Sequence, residues 1–406
     1  MKTTAIGNRG PKIAAVALAF ALSACGGGQD DGPVSPPSAA PIAAPVTATP
    51  KSIDFGLFRT CDADCLASVT KYRLTEPAWN SHIVHDEPVL PSSLLSHLWR
   101  EPLEILQVRD RITGHVYTPW VDYAPNANGL LYFPAGSTVQ LIPAGFPYQA
   151  NPEQSPTISQ TKDGRPLWIK VDYQQRQVAV TYRATVDAPA PKTIGSVPVT
   201  AAKVNGCNPV AVTFYGDSIT NGGDATALSN IEPRQPGWVD LLASMLANGC
   251  GDTYHWRNAS QGGWSSTDGL QNISARVNQT ASDMVVLGFG MNDSTAFVPP
   301  ALFESNMRAM VTSIRAQAPA TEILLVSSWL GNPEWKPMDV SLLQAYQGVL
   351  VRIAGDTAGV AVADMTSMSA SVLAKKRYYE VTSNGVNHPN DFMHVLYAQV
   401  VREALR

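Results

Sequence analysis

The sequence predicts an α/β protein: a C-terminal three-layer α/β/α domain built on a parallel sheet, preceded by an all-β domain of sandwich or jelly-roll type. Three observations carry that prediction. After Cys207, five short apolar runs (210–215, 254–258, 284–288, 322–328 and 359–363) alternate with stretches whose apolar residues fall at helical spacing, such as 238–246, 303–316 and 342–353. Repeated strand–helix order makes a parallel sheet covered on both faces. Between 52 and 200 the pattern changes to short alternating or β-branched runs (104–108, 115–123, 130–133, 138–142, 167–173 and 177–186) broken by turn signals, as in antiparallel β architecture. Finally, 406 residues exceed the size at which one core usually stops growing, roughly 250–300 residues.

Taken from the N-terminus, the chain opens with Lys2, Arg9 and Lys12 before the apolar run 13–22. That run is too short to span a bilayer as a mature helix and is expected to be an export signal. Leu22-Ser23-Ala24-Cys25 resembles a bacterial lipobox. The resemblance implies loss of residues 1–24, lipidation of Cys25 and anchoring to the envelope membrane, with Gly26 pointing to the outer membrane. Residues 25–50 are rich in Gly, Pro, Ala, Ser and Val and cannot bury enough surface to offset their ordering entropy, so they form a tether. The β-rich domain then occupies 51–203 and the α/β domain 204–406.

Four cysteines follow Cys25: Cys61, Cys65, Cys207 and Cys250. In an exported chain they suggest disulfides, with three connectivities open; the pairs Cys61/Cys65 and Cys207/Cys250 are favoured. No second Cys pair or His cluster follows Cys61 and Cys65 at zinc spacing, and the run His82–Glu87 is expected to be polar loop or strand-end residues, so no metal is assigned. A net charge of −4 without a basic face argues against nucleic acid. Trp99, Trp120, Tyr123, Tyr132 and Tyr148 are expected to be mostly core rather than a sugar-stacking surface.

In an open parallel sheet the chemistry lies outside the carboxyl ends of the strands. There the sequence places Gly216-Asp217-Ser218, then Asn258-Ala259-Ser260-Gln261-Gly262-Gly263-Trp264, then Gly290-Met291-Asn292-Asp293, and near the C-terminus Asn387-His388-Pro389. Acyl transfer needs such parts: a serine, an imidazole to take its proton, and preorganised N–H donors for the oxyanion, which Gly-rich turns and an asparagine amide supply.

These four blocks, in this order across about 200 residues, resemble the SGNH (GDSL-type) hydrolase superfamily, whose fold is flavodoxin-like. The resemblance implies Ser218 as nucleophile and first oxyanion donor, Gly263 (with Gly262 as rival) as second, Asn292 as third, and His388 as general base, with no cofactor. Asp217 and Asp293 are expected to support the turns of Ser218 and Asn292, and His394 to be a helix-face residue. One departure stands out: the family's aspartate three residues before the histidine is Gly385 here, with no acid at Asn384, Val386 or Asn387. A backbone carbonyl is the expected orienter of His388, with Asp391, Asp364 and Glu380 as carboxylate alternatives; capping is the simpler role for Asp391. Trp264, Trp329 and Trp335 are candidates for a substrate wall. A β domain ahead of such a domain in an exported protein resembles carbohydrate esterases, which implies an acetylated carbohydrate as substrate. The alternatives are a lipase or aryl esterase on short-chain acyl lipids, a carbohydrate-binding lipoprotein with weakened catalysis, and an O-acetyltransferase.

Overall fold

The computed structural model describes residues 50–92, 95–125, 130–143, 145–185 and 187–406. The signal segment, Cys25 and the tether up to 49 lie outside the described residues. Residues from Ala48 onward form one compact unit.

Six strands precede the α/β layer: β1 (Ile83–Val89), β2 (Ser96–His97), β3 (Pro102–Asp110), β4 (Ala124–Pro125), β5 (Leu130–Tyr132) and β6 (Val178–Ala184). They make two three-stranded antiparallel sheets, ordered β1-β6-β3 and β2-β5-β4. The expected strands at 115–123, 138–142 and 167–173 are instead irregular backbone, bends and turns, with isolated bridges at Val116, Pro119, Tyr123 and Ile142. Local side-chain bonds compete with the ladder there: the Asp122 carboxylate accepts from Thr118 N, Thr138 N and Thr138 Oγ1. Conversely, the polar run 82–87 contributes most of strand β1. Its Glu87 is fully buried, accepting from Trp99 N, Tyr182 Oη and Lys376 Nζ.

The second layer is a six-stranded sheet of β7 (Thr193–Gly195), β8 (Val210–Gly216), β9 (Tyr254–Asn258), β10 (Met284–Gly288), β11 (Glu322–Val326) and β12 (Val360–Ala363), ordered β7-β12-β11-β10-β8-β9. All pairs are parallel except β12 with β7. β8, β11 and β12 are buried at every residue, as a sheet covered on both faces requires. The helices Trp238–Ala247 and Asp391–Glu403 pack together, as do Ser266–Arg276, Pro300–Gln317 and Val340–Asp356. Disulfides join Cys61 to Cys65 and Cys207 to Cys250.

The seam between the small sheets and the α/β layer is polar and specific. Gln177 Nε2 donates to the carbonyls of Tyr379 and Thr382, and its Oε1 accepts from Asn390 Nδ2. Gln174 bridges two segments of the α/β layer, donating to the Asp224 carbonyl and accepting from Asp391 N. These bonds pin the loops that carry the chemistry.

Candidate active site

The neighbouring strands β8 and β10 end side by side with Gly216 opposite Gly288. A Cβ at Gly216 would lie 2.2 Å from the Gly288 carbonyl oxygen and 2.4 Å from Thr220 Oγ1. Only glycine lets the backbone pass so close, and the chain then turns sharply to present Ser218. Asp217 N donates to the Gly288 carbonyl and Asp217 Oδ1 accepts from Ile219 N. Burial pushes the Asp217 carboxyl up to about 7, against its hydrogen bonds and the attraction of His388.

Ser218 Oγ lies 2.8 Å from His388 Nε2, and His388 Nδ1 lies 2.6 Å from Asp224 Oδ2. Burial favours the neutral imidazole, but the Asp224 charge and hydrogen bond more than offset it, so the His388 pKa is raised above its usual value. Asp224 shows the reciprocal effect: burial acts against its ionisation, the pairing with His388 outweighs it, and its pKa is lowered. The imidazole therefore carries its proton on Nδ1 towards Asp224 and leaves Nε2 free to accept from Ser218.

Asp224 replaces both the expected backbone carbonyl and the carboxylate alternatives as the partner of His388. Asp391 faces elsewhere: its Oδ1 accepts from Thr226 N, and its Oδ2 from Thr226 Oγ1 and Arg111 Nη2. Nor does it cap its helix, since Asn390 holds the cap position and accepts from Met393 N. Asp364 caps the helix Met365–Leu373, and Glu380 is buried against Lys376 and Arg377. The carboxylate paired with His388 stands six residues after Ser218, away from the family's position before the histidine. Its signal in the sequence is Gly222-Gly223-Asp224, a tight turn returning an acid towards Ser218. In it, Gly223 N donates to the Ser218 carbonyl, and a Cβ at Gly223 would come within 3.2 Å of His388 Cε1.

The His388 loop is self-bonded. Asn384 Oδ1 accepts from the N–H groups of Val386, Asn387 and His388, and the His388 carbonyl accepts from Thr382 Oγ1 and Ser383 N. Gly385 has φ of +88°, and a Cβ there would sit 2.6 Å from Tyr173 Cε2. The packing of Tyr173 thus excludes the acid found at this position in the family pattern. His394 is fully buried; its Nε2 donates to the Gly223 carbonyl and its Nδ1 accepts from Trp238 N. Burial lowers its pKa to about 4, so it is a neutral brace beneath the Gly223 turn.

The second block lies beside the serine, and the third is tied to the second. A Cβ at Gly262 would be 3.7 Å from Ser218 Cβ, and Asn292 Nδ2 donates to the Trp264 carbonyl, leaving its second N–H. Among the described residues, the N–H groups of Ser218, Gly262 and Gly263 have no protein acceptor. Asp293 accepts from Ser266 N and Oγ, and burial raises its pKa to about 6. Of the three tryptophans, Trp264 alone is partly exposed beside the site, against Tyr215 and Arg276. Trp329 is core, stacked on Tyr378 and donating to the Asn387 carbonyl, and Trp335 is buried with its indole N–H on Ile158 O. Both are corrections to the expected wall.

Residues 214–396 match the family described as GDSL-like lipase/acylhydrolase. The chain is 29% identical over 129 residues to the esterase TesA of Pseudomonas aeruginosa, a match covering 32% of this chain and 62% of that protein. The chain thus spans less than two thirds of that relative's length. Among solved structures, it is similar to the acetylxylan esterase Axe2 from Geobacillus stearothermophilus (18% identity, TM-score 0.41, 49% of this chain and 94% of that one). It is also similar to a two-domain esterase active on acetylated mannans, crystallised with mannopentaose (19% identity, TM-score 0.42, 53% and 55% of the two chains).

Proposed function

We propose that the protein is a serine esterase that removes acetyl or other short acyl groups from carbohydrate esters, a reading supported by the match of residues 214–396 to the GDSL-like lipase/acylhydrolase family. The observation that carries the reading is the continuous contact from Ser218 Oγ through His388 to Asp224. Ser218 attacks the acyl carbonyl as its proton passes to His388 Nε2. Asp224 holds the imidazolium that forms, and the N–H groups of Ser218 and Gly263 with Asn292 Nδ2 receive the oxyanion. His388 then protonates the departing sugar hydroxyl, and water, deprotonated by the same imidazole, cleaves the acyl-enzyme.

The carbohydrate assignment rests on the sequence resemblance. The glycine at 385 in place of the family's acid is what would favour the weakened-catalysis alternative, and the contact of His388 with Asp224 supports the active reading instead. A screen of nitrophenyl esters of increasing chain length beside acetylated xylan and mannan, with Ser218→Ala as control, tests the proposal. Expected are Ser218-dependent release of acetate and an optimum at the shortest chains; an optimum well above acetate would move the assignment to acyl lipids. We further propose that the chain is exported and lipid-anchored through Cys25. Palmitate labelling of cells should mark the protein and fail for Cys25→Ala.

A further inference from the structure

A pocket of about 240 Å³ is lined by none of the groups assigned above to catalysis. Four cationic side chains, Lys71, Arg73, Arg109 and Arg111, line it against two carboxylates, Glu76 and Asp86. Arg109 is paired with Asp86, and Arg111 Nη2 is 3.2 Å from Asp391. Arg111 is nevertheless buried with its Nη1 lacking any partner among the described residues. A guanidinium carries five N–H donors in a planar fork, and a buried donor left without a partner is destabilising. Such an arginine, in a concavity with a positive excess, calls for an anionic acceptor. Tyr72 and Phe392 also line the pocket, so the ligand has an apolar or ring face as well as a charge, and a volume below the roughly 300–1,000 Å³ of drug-sized sites limits it to one small unit.

We propose that this pocket binds a carboxylate, supplied either by a uronic acid unit of a glycan or by a small organic acid, with Arg111 as its central donor and Lys71 and Arg73 at its mouth. Arg111 matches a carboxylate in planarity and charge. The site does not depend on the esterase assignment and is testable apart from it.

The experiment is isothermal titration of sodium glucuronate and of sodium acetate at constant ionic strength into the full chain carrying Ser218→Ala, so that the catalytic centre contributes no turnover. Glucose and sodium sulfate serve as controls. One-site saturable binding of glucuronate is expected, weakened by at least about tenfold, or 1.4 kcal/mol, when Lys71→Ala and Arg73→Ala are added. Those two changes leave the Arg111–Asp391 pair intact, and circular dichroism checks the fold. Weaker acetate than glucuronate identifies the uronate as the source; equal affinity identifies a free organic acid. No saturable binding of either carboxylate, glucose binding as tightly as glucuronate, sulfate binding alone, or unchanged affinity in the double variant would each overturn the proposal.

Discussion

Replacing Asp224 by asparagine tests the centre of the mechanism. The Asp224 and His388 side chains are only 19% and 17% exposed, so their interaction is screened less than at a surface. At a charge separation of about 4 Å and an effective dielectric of about 20, a carboxylate stabilises an imidazolium by about 4 kcal/mol. At 1.36 kcal/mol per decade that is about three powers of ten in rate. Asparagine adds a second loss, because its amide can donate to His388 Nδ1, moving the ring proton to Nε2 where it cannot accept from Ser218. Turnover of nitrophenyl acetate should therefore fall by about 10³- to 10⁴-fold with little change in KM. The pH profile has a sign as well. In the wild type the base is active once His388 loses its proton, so kcat/KM rises through a pKa lifted above the usual histidine value. Without the carboxylate, burial is opposed only by the charge of Asp217, and the ascending limb moves to lower pH, although the plateau falls. A loss of less than about tenfold for Asp224→Asn, or an equal loss for a folded Asp391→Asn, would refute the assignment; the chemistry of tautomer control sets that threshold.

Three further outcomes are expected. Asn292→Ala should lower kcat by about 10²- to 10³-fold, as loss of one oxyanion donor does, while steady-state kinetics show KM nearly unchanged. Gly385→Asp, which restores the acid at the family's usual spacing, should not improve activity and should lower the melting temperature, because φ of +88° and the contact with Tyr173 both exclude a side chain. Asp217, with a pKa raised to about 7 by burial, stabilises the fold while protonated. Its contribution is fully present below about pH 4 and is lost as pH rises through about 7, amounting to roughly 4 kcal/mol. Asp217→Asn should flatten that decline in urea melts between pH 4 and 8.

Much of the site was legible in order along the chain. Apolar runs bounded by turns marked β8 to β12, and the residues just after three of them, Ser218, Gly263 and Asn292, are brought close because a parallel sheet gathers its carboxyl ends at one edge. The contact between Ser218 and His388 was anticipated from the resemblance of the ordered blocks. The β-rich segment was less legible, since Asp122 and its threonine neighbours stabilise turns where β-branched residues suggested strands.

By itself, the sequence determined the α/β layer, which follows from short-range periodicity, while the roles expected of Ser218, Gly263 or its rival Gly262, Asn292 and His388 came from the resemblance of four ordered blocks to a known family. Tertiary structure alone decided what holds His388. Asp224 and His388 are 164 residues apart, and neither has local spacing that announces the other. The contact exists because β8 and the C-terminal loop converge at one sheet edge, Gly223 admits the ring, Gln174 from the β-rich segment ties down the Asp224 carbonyl, and Tyr173 forbids an acid at Gly385. Steric exclusion at one loop and a donor from a distant segment are properties of packing, and packing is what sequence spacing does not encode. The same holds for Trp329, whose place among exposed-looking loop residues gave no sign that the core encloses it completely.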